Sequence, residues 1–174
     1  MSRRFRKVFD DTVAKLAAKP RSALQTFHAE SRQVRGFMSQ VAVRTHRFQV
    51  DEPKGIGGSD VAASPVEYVL GALAACQEVT YRLYADALDI PLAGVSVRVE
   101  GVSDRRGFFG VDDTVRPGFQ EIQAVVHLDS TAPPEDLARL KDMVDAHCPV
   151  LDALARPTPV TTTLAGSEEA VRET

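Results

Sequence analysis

The stretch from Ser64 to Leu88, SPVEYVLGALAACQEVTYRLYADAL, constrains this chain more than any other. Ser64 suits an N-cap, Pro65 suits the first helical position, and Glu67 completes a capping box, so the helix start is sharply defined. Between Val66 and Cys76 the ionisable side chains are Glu67 and the phenol of Tyr68. A helix apolar on nearly every face belongs inside a protein. Further along, Leu73, Cys76, Thr80, Leu83 and Leu88 keep a helical period while Glu78, Arg82 and Asp86 supply a polar side. That pattern predicts a helix emerging toward solvent as it ends. In a chain of 174 residues, a long apolar helix with few partners also points to a second subunit that completes its surroundings.

The remaining elements follow from periodicity and punctuation. Val8 to Ala18 reads as a short amphipathic helix stopped by Lys19-Pro20. Ala23 to Glu30 reads as a strand, Ser31 to Gly36 as a turn, and Phe37 to Val50 as a long strand or bent pair. Lys54 to Ala63 is a glycine-rich connection that lacks both GxxxxGK[ST] and GxGxxG, so it reads as a flexible approach to the helix rather than a phosphate loop. Val95 to Ser103 and Glu121 to Asp129 form an antiparallel strand pair across a polar loop, Asp104 to Gly118, that carries Phe108 and Phe109. Glu135 to Ala146 is an amphipathic helix with acids in its first turn. A short helix starting at Pro149 places Cys148 at its N-cap, and Val160 to Leu164 reads as a final strand. The order defines an α+β fold with helices covering mostly antiparallel strands. It divides into an N-terminal helical extension (1–21), one domain (22–166) and a flexible tail (167–174).

Charged residues make up 26% and hydrophobic ones 44%, with a net charge of −3. This composition excludes neither a core nor solubility, and it gives no electrostatic reason to expect nucleic acid. The basic start, Arg3, Arg4, Arg6 and Lys7, lacks the apolar run of a secretory signal. The apolar part of the Ser64 helix falls short of the ~20 residues that span a bilayer. The expected setting is cytoplasmic, without membrane.

Cys76 and Cys148 lack the close spacing of a zinc ribbon or a CxxC redox motif. They are either buried inert thiols or a redox couple assembled by folding. Burial alone raises a thiol pKa, so a reactive Cys76 needs a cation or hydrogen-bond donors from elsewhere in the fold. Arg32, Arg35, Arg44 and Arg47 precede the helix and could supply one. At Cys148, the free N–H groups and dipole of a helix start favour thiolate locally. His147, beside Cys148, makes only a weak metal site with the thiols, and neither metal nor cofactor is expected. His28 and His46 read as residues filling strand faces.

Three motifs together, DEPKGIGGSD (Asp51 to Asp60), SPVEYVLGALAAC (Ser64 to Cys76) and HCPV (His147 to Val150), resemble the OsmC/Ohr family of osmotically induced and organic hydroperoxide resistance proteins. The resemblance spans roughly residues 22–165. It implies an OsmC-like intertwined homodimer with two central cysteine-bearing helices and active sites at the subunit interface. It further implies thiol-dependent peroxidase chemistry, in which Cys76 attacks a hydroperoxide and becomes a sulfenic acid. Cys148 resolves that acid as a disulfide, and a dithiol reductant such as a lipoylated protein reopens it. The activating arginine falls at Arg32 or Arg35. Hydroperoxide-resistance members carry a glutamate directly after the helix-initiating proline; here that position is Val66, and Glu67 lies about 100° further round the helix. Glu67 is therefore both a candidate catalytic carboxylate and a sufficient helix cap. The alternative to a peroxidase is a non-catalytic dimer of the same fold that binds a small apolar or thiol-reactive ligand.

Overall fold

The computed structural model describes residues 4–165. The expected tail, 167–174, lies outside the described residues. Five helices and five strands follow in the order α1 (Arg4–Ala18), β1 (Glu30–Arg35), β2 (Met38–Val43), β3 (His46–Val50), α2 (Pro65–Ala87), β4 (Gly94–Ser103), α3 (Arg105–Phe108), β5 (Phe119–Asp129), α4 (Pro134–His147) and α5 (Pro149–Ala155). The strands form two antiparallel sheets, β1-β2-β3 and β4-β5. The architecture is α+β, as the element order predicts.

The core belongs to the second half of α2. Tyr81 and Ala85 from α2 join Ile90 and Leu92 from the connection to β4, Leu140 and Val144 from α4, and Cys148 in one buried cluster. Val95, Val126 and Leu128 close it from the β4-β5 sheet. Each fully buried Leu or Val here contributes about 1.5–3 kcal/mol from removal of apolar surface from water. The acids in the first turn of α4, Glu135 and Asp136, sit where its dipole favours them.

The expectation for α2 is reversed along its length. Its second half, predicted to emerge into solvent, is buried at Gln77, Thr80, Tyr81 and Ala85, because α1, α4 and α5 all pack on α2. Its first turns are open, with Val66 51% exposed and Val69 36%, and burial begins at Leu73. Apolarity identified a surface that must be covered, but not what covers it within one chain.

The β1-β2-β3 sheet is also sparsely covered. β1 is exposed at every position, and β2 is half-buried throughout. The sheet is tied to α2 by the tilted Phe48–Tyr68 ring pair and by the Tyr68 hydroxyl, which donates to the Gln49 carbonyl at 2.7 Å. Several expectations for this part are corrected. Ser31 to Arg35, predicted as a turn, lies in β1, and the turn is Gly36-Phe37, with Arg35 opposite Met38. Gly36 takes a φ of 57°, which its lack of a Cβ allows. Ala23 to Glu30 is not a strand: a 3-10 turn covers Pro20–Ala23, residues 24–29 carry no regular structure, and Leu24 and Phe27 are 89% and 81% exposed. The bent-pair alternative for Phe37 to Val50 holds, with β2 and β3 joined through Arg44-Thr45.

Two more connections differ from expectation. Val160 to Leu164 forms no strand and has no hydrogen-bonded neighbour in either sheet; with Leu164 99% exposed, its alternation has no surface to face. The glycine-rich approach to α2 is folded around Asp51 rather than flexible. The buried Asp51 carboxylate accepts the N–H groups of Ser59 at 3.0 Å and Val61 at 3.2 Å. A Cβ on Gly58 would lie 1.7 Å from the Glu52 carbonyl oxygen, so only glycine permits that close approach.

The N-terminal helix begins at Arg4 rather than Val8 and is anchored through its first turns. Phe9 packs edge-on against Tyr84 at 5.5 Å between ring centroids. Arg6 pairs with Asp89 at 2.8 Å. No helix among the described residues is long and apolar enough to cross a membrane.

Candidate active site

Folding brings the two cysteines together. The sulfurs of Cys76, in the middle of α2, and Cys148, at the junction of α4 and α5, stand 3.4 Å apart as free thiols. The tertiary contacts that do this are the packing of α4 and α5 on α2. Cys148 is fully buried, while Cys76 retains partial exposure. Closing the pair to the ~2 Å of a disulfide requires only a small approach of side chains already in contact.

The surroundings of Cys76 oppose each other. Burial pushes its thiol above the ordinary value, and the nearby Cys148 sulfur adds to the rise. The backbone N–H of Val150 and the hydroxyl of Thr80 act the other way. The net shift is upward, so no group in this environment offsets desolvation completely. Thr80 stands one helical turn after Cys76, with its hydroxyl donating to the Cys76 carbonyl at 2.7 Å.

The Val150 N–H resolves a conflict in the sequence. Cys148 does cap α5 as predicted, but its side chain makes no capping hydrogen bond. The N–H of Val150, at the start of α5, instead acts on Cys76, holding its thiol below where burial alone would put it. The helix-start effect assigned to Cys148 from local position thus reaches the other thiol through the tertiary fold. Sequence reasoning missed Thr80 and the Val150 amide as members of this site. The i,i+4 spacing of Thr80 from Cys76 was the available signal for the first; the second depends on how α5 docks.

The other candidates lie elsewhere in the chain. Glu67 accepts hydrogen bonds from the Ser64 N–H and hydroxyl, each at 2.7 Å. These bonds, the backbone one foremost, hold its carboxyl below the ordinary value. It stands nine residues before Cys76, roughly 13 Å along the helix axis. Arg32 and Arg35 lie in exposed β1, opposite Gln40 and Met38. Among the described residues no hydrogen bond or ion pair joins either arginine to a thiol or to Glu67. His147 stacks on Tyr84 at 5.2 Å, and its Nδ1 is 2.8 Å from the Met143 carbonyl. No group of three or more potential metal ligands occurs among the described residues.

At the start of α2, a cleft of about 250 Å³ is lined by Val66, Glu67, Phe108, Phe109 and Phe119. The polar loop that carries Phe108 and Phe109 therefore lines a cavity, with α3 shaping part of it. Asp104 caps α3 by accepting the Arg106 N–H at 3.0 Å.

An α+β chain with two free thiols in contact, one on a central helix and one, fully buried, at a Cys-Pro helix start, defines a thiol-pair protein. The family pattern described as OsmC-like protein matches residues 57–163, and the chain belongs to that family. An OsmC-like protein from Mycoplasma pneumoniae is similar in fold, with 20% identity, a TM-score of 0.65, and coverage of 75% of this chain and 88% of that one. An organic hydroperoxide resistance protein from Legionella pneumophila shares 22% identity at a TM-score of 0.59, over 75% of this chain and 90% of that one. An OsmC-like protein of unknown function from Vibrio cholerae matches at 9% identity with a TM-score of 0.61, over 75% and 94% of the two chains. At such identities the likeness is one of fold. No curated protein matches the sequence.

Proposed function

We propose that the chain is a thiol-dependent peroxidase that reduces organic hydroperoxides through Cys76 and Cys148. The observation that carries this reading is the 3.4 Å contact between two free thiols that are 72 positions apart. Cys76, the more accessible thiol, attacks as thiolate on the outer oxygen of the O–O bond. That oxygen stays on sulfur as sulfenic acid, and the other leaves with a proton as alcohol. The Cys148 sulfur then displaces the hydroxyl from Cys76, forming a disulfide and releasing water. A dithiol reductant, with a lipoylated protein as the family example, returns the pair to thiols by exchange.

The raised thiol of Cys76 must be countered by a cation, and its own chain brings none of the candidate arginines to it. We therefore infer a homodimer in which Arg32 or Arg35 of a second copy completes the site. The exposed first turns of α2, the open β1-β2-β3 sheet and the bare segments 24–29 and 157–164 supply the surface for such an intertwined assembly. Glu67 has its capping role in hand; a catalytic role requires the same second copy. A cytoplasmic setting agrees with a pair that is held as free thiols.

The test is hydroperoxide consumption by the reduced protein in the presence of a dithiol. Cys76→Ser should abolish it. Cys148→Ser should leave a single turnover that stops at a sulfenic acid on residue 76, trapped with a dimedone-type reagent. If both thiols survive excess hydroperoxide unmodified, the peroxidase is excluded, and the non-catalytic ligand-binding dimer becomes the reading.

A further inference from the structure

A second cleft, of about 320 Å³, lies between α2, β5, α4 and α5. It lies at the small end of the range for ligand pockets. Two of its lining residues are almost completely buried: Gln77, at 4% exposure, and Tyr81, at 1%. Neither the Gln77 amide nor the Tyr81 hydroxyl makes a hydrogen bond to another described residue. Among the described residues the only fully enclosed side-chain oxygen or nitrogen without a partner is Asp51 Oδ1, so the Gln77 and Tyr81 polar atoms open on the cleft. Buried polar groups are ordinarily satisfied, and an amide beside a hydroxyl, neither paired within the chain and both opening on the cleft, offers two donors and an acceptor to what binds there. Burial first, and then the charge of Asp145, push the Tyr81 phenol up to about 12, so it is an O–H donor at neutral pH.

The rim states what kind of ligand fits. Lys141 is paired with Asp145 on α4, and Arg156 with Asp152 at 3.2 Å on α5, so both signs of charge stand at the mouth. Ala124 and Val126 of β5 and Ala155 of α5 give the lining an apolar part. A purely anionic ligand would meet two carboxylates, and a purely apolar one would leave the amide and phenol unpaired. We propose that this cleft binds a small zwitterion with an internal amide, of the dipeptide class, its amide on Gln77 and Tyr81 and its termini on the rim charges. Because α5 forms one wall and begins directly after Cys148, a ligand there holds α5 in the position that keeps the two thiols in contact. Reciprocity then requires tighter binding to the dithiol protein than to any state in which α5 has shifted.

Binding is read without turnover, so its outcome is separate from that of the peroxidase. The reduced, nitrogen-15-labelled full chain is titrated with glycylglycine, with N-acetylglycine and glycinamide as probes that keep one charge each. The Gln77 side-chain amide and the Arg156 backbone amide should shift saturably with glycylglycine, and affinity should fall at least ~5-fold for each single-charge probe. Tyr81→Phe, which preserves volume, should weaken glycylglycine by about 5–10-fold with the rest of the spectrum unchanged. A non-saturating drift with all three probes overturns the proposal, as does equal affinity for the three. Unaltered affinity in a folded Tyr81→Phe or Gln77→Met variant does so too.

Discussion

The two sheets of this chain are built alike and covered differently. β4 and β5 pair over their whole length and pack through Val95, Val126 and Leu128 on a closed core that includes Cys148. β1, β2 and β3 are just as regularly hydrogen-bonded, yet β1 is exposed at every position and two rows of residues, 24–29 and 157–164, lie bare. Backbone hydrogen bonds specify a sheet, but burial of a face stabilises it. The C-terminal region therefore stands on its own contacts and holds the thiol pair, whereas the N-terminal sheet leaves its surface open. The difference also divides the chemistry: the sulfurs and their hydrogen-bond donors come from the self-sufficient region, and the candidate arginines from the open one.

The comparison breaks first if the closed region is not the stable one. Leu140→Ala, at a fully buried position, should cost about 2–5 kcal/mol in chemical denaturation. Val34→Ala, on exposed β1, should cost less than ~0.5 kcal/mol in the monomer. Similar losses from both in a monomeric sample would contradict the division.

The open surface is tested by replacing both Leu24 and Phe27 with Asp. Light scattering should change from dimer to monomer, with near-unchanged circular dichroism in the helical band. Alkylation of Cys76 as a function of pH sharpens the same point. In the monomer the midpoint should lie above the ordinary ~8.5 of a thiol, because burial raises it, so reactivity at neutral pH is low and grows as pH rises through that value. In the parent dimer an arginine from the second copy should move the midpoint down. Identical profiles would remove the reason for a borrowed cation.

Smaller effects are expected within the site. Thr80→Val removes the hydroxyl that stands beside Cys76 and donates to its carbonyl, and should slow hydroperoxide reaction at pH 7 by about 2–10-fold, with the pH profile shifted upward. Glu67→Ala should lose about 1 kcal/mol of stability from the cap. Since its folded pKa is depressed, that contribution is complete above the unfolded value of ~4.3 and disappears as pH falls through the lower folded value. A loss of peroxide turnover far exceeding the loss of stability would instead assign Glu67 to catalysis.

Much of this was legible in the residues, for reasons that separate by range. Local rules placed α2 with its capping box, α4, α5 with its Cys148 cap, and the β4-β5 pair, because capping, proline position and alternation are decided within a few residues. The contact between Cys76 and Cys148 came from motif resemblance, since no property of either segment dictates how α5 docks on α2. The misreadings gather in the open region. Ser31 to Arg35 is too polar to alternate and reads as a turn, while Val160 to Leu164 alternates but has no hydrogen-bonded neighbour in either sheet. In both places the segment lies exposed, so the chain itself offers no surface that would make its pattern readable. The exposure at the start of α2 belongs with these: Val66 and Val69 are apolar yet stand open.

The central claim is that Cys76 and Cys148 are a working redox pair rather than two packing residues in contact. One equivalent of an organic hydroperoxide added to the fully reduced protein, followed by intact-mass and peptide mapping under denaturing, thiol-blocking conditions, tests it directly. The account predicts loss of two hydrogen atoms from the chain and a single cross-linked peptide joining Cys76 to Cys148. Two free, blocked thiols after complete mixing, or oxidation stopping at sulfinic acid on Cys76 with Cys148 untouched, would contradict it.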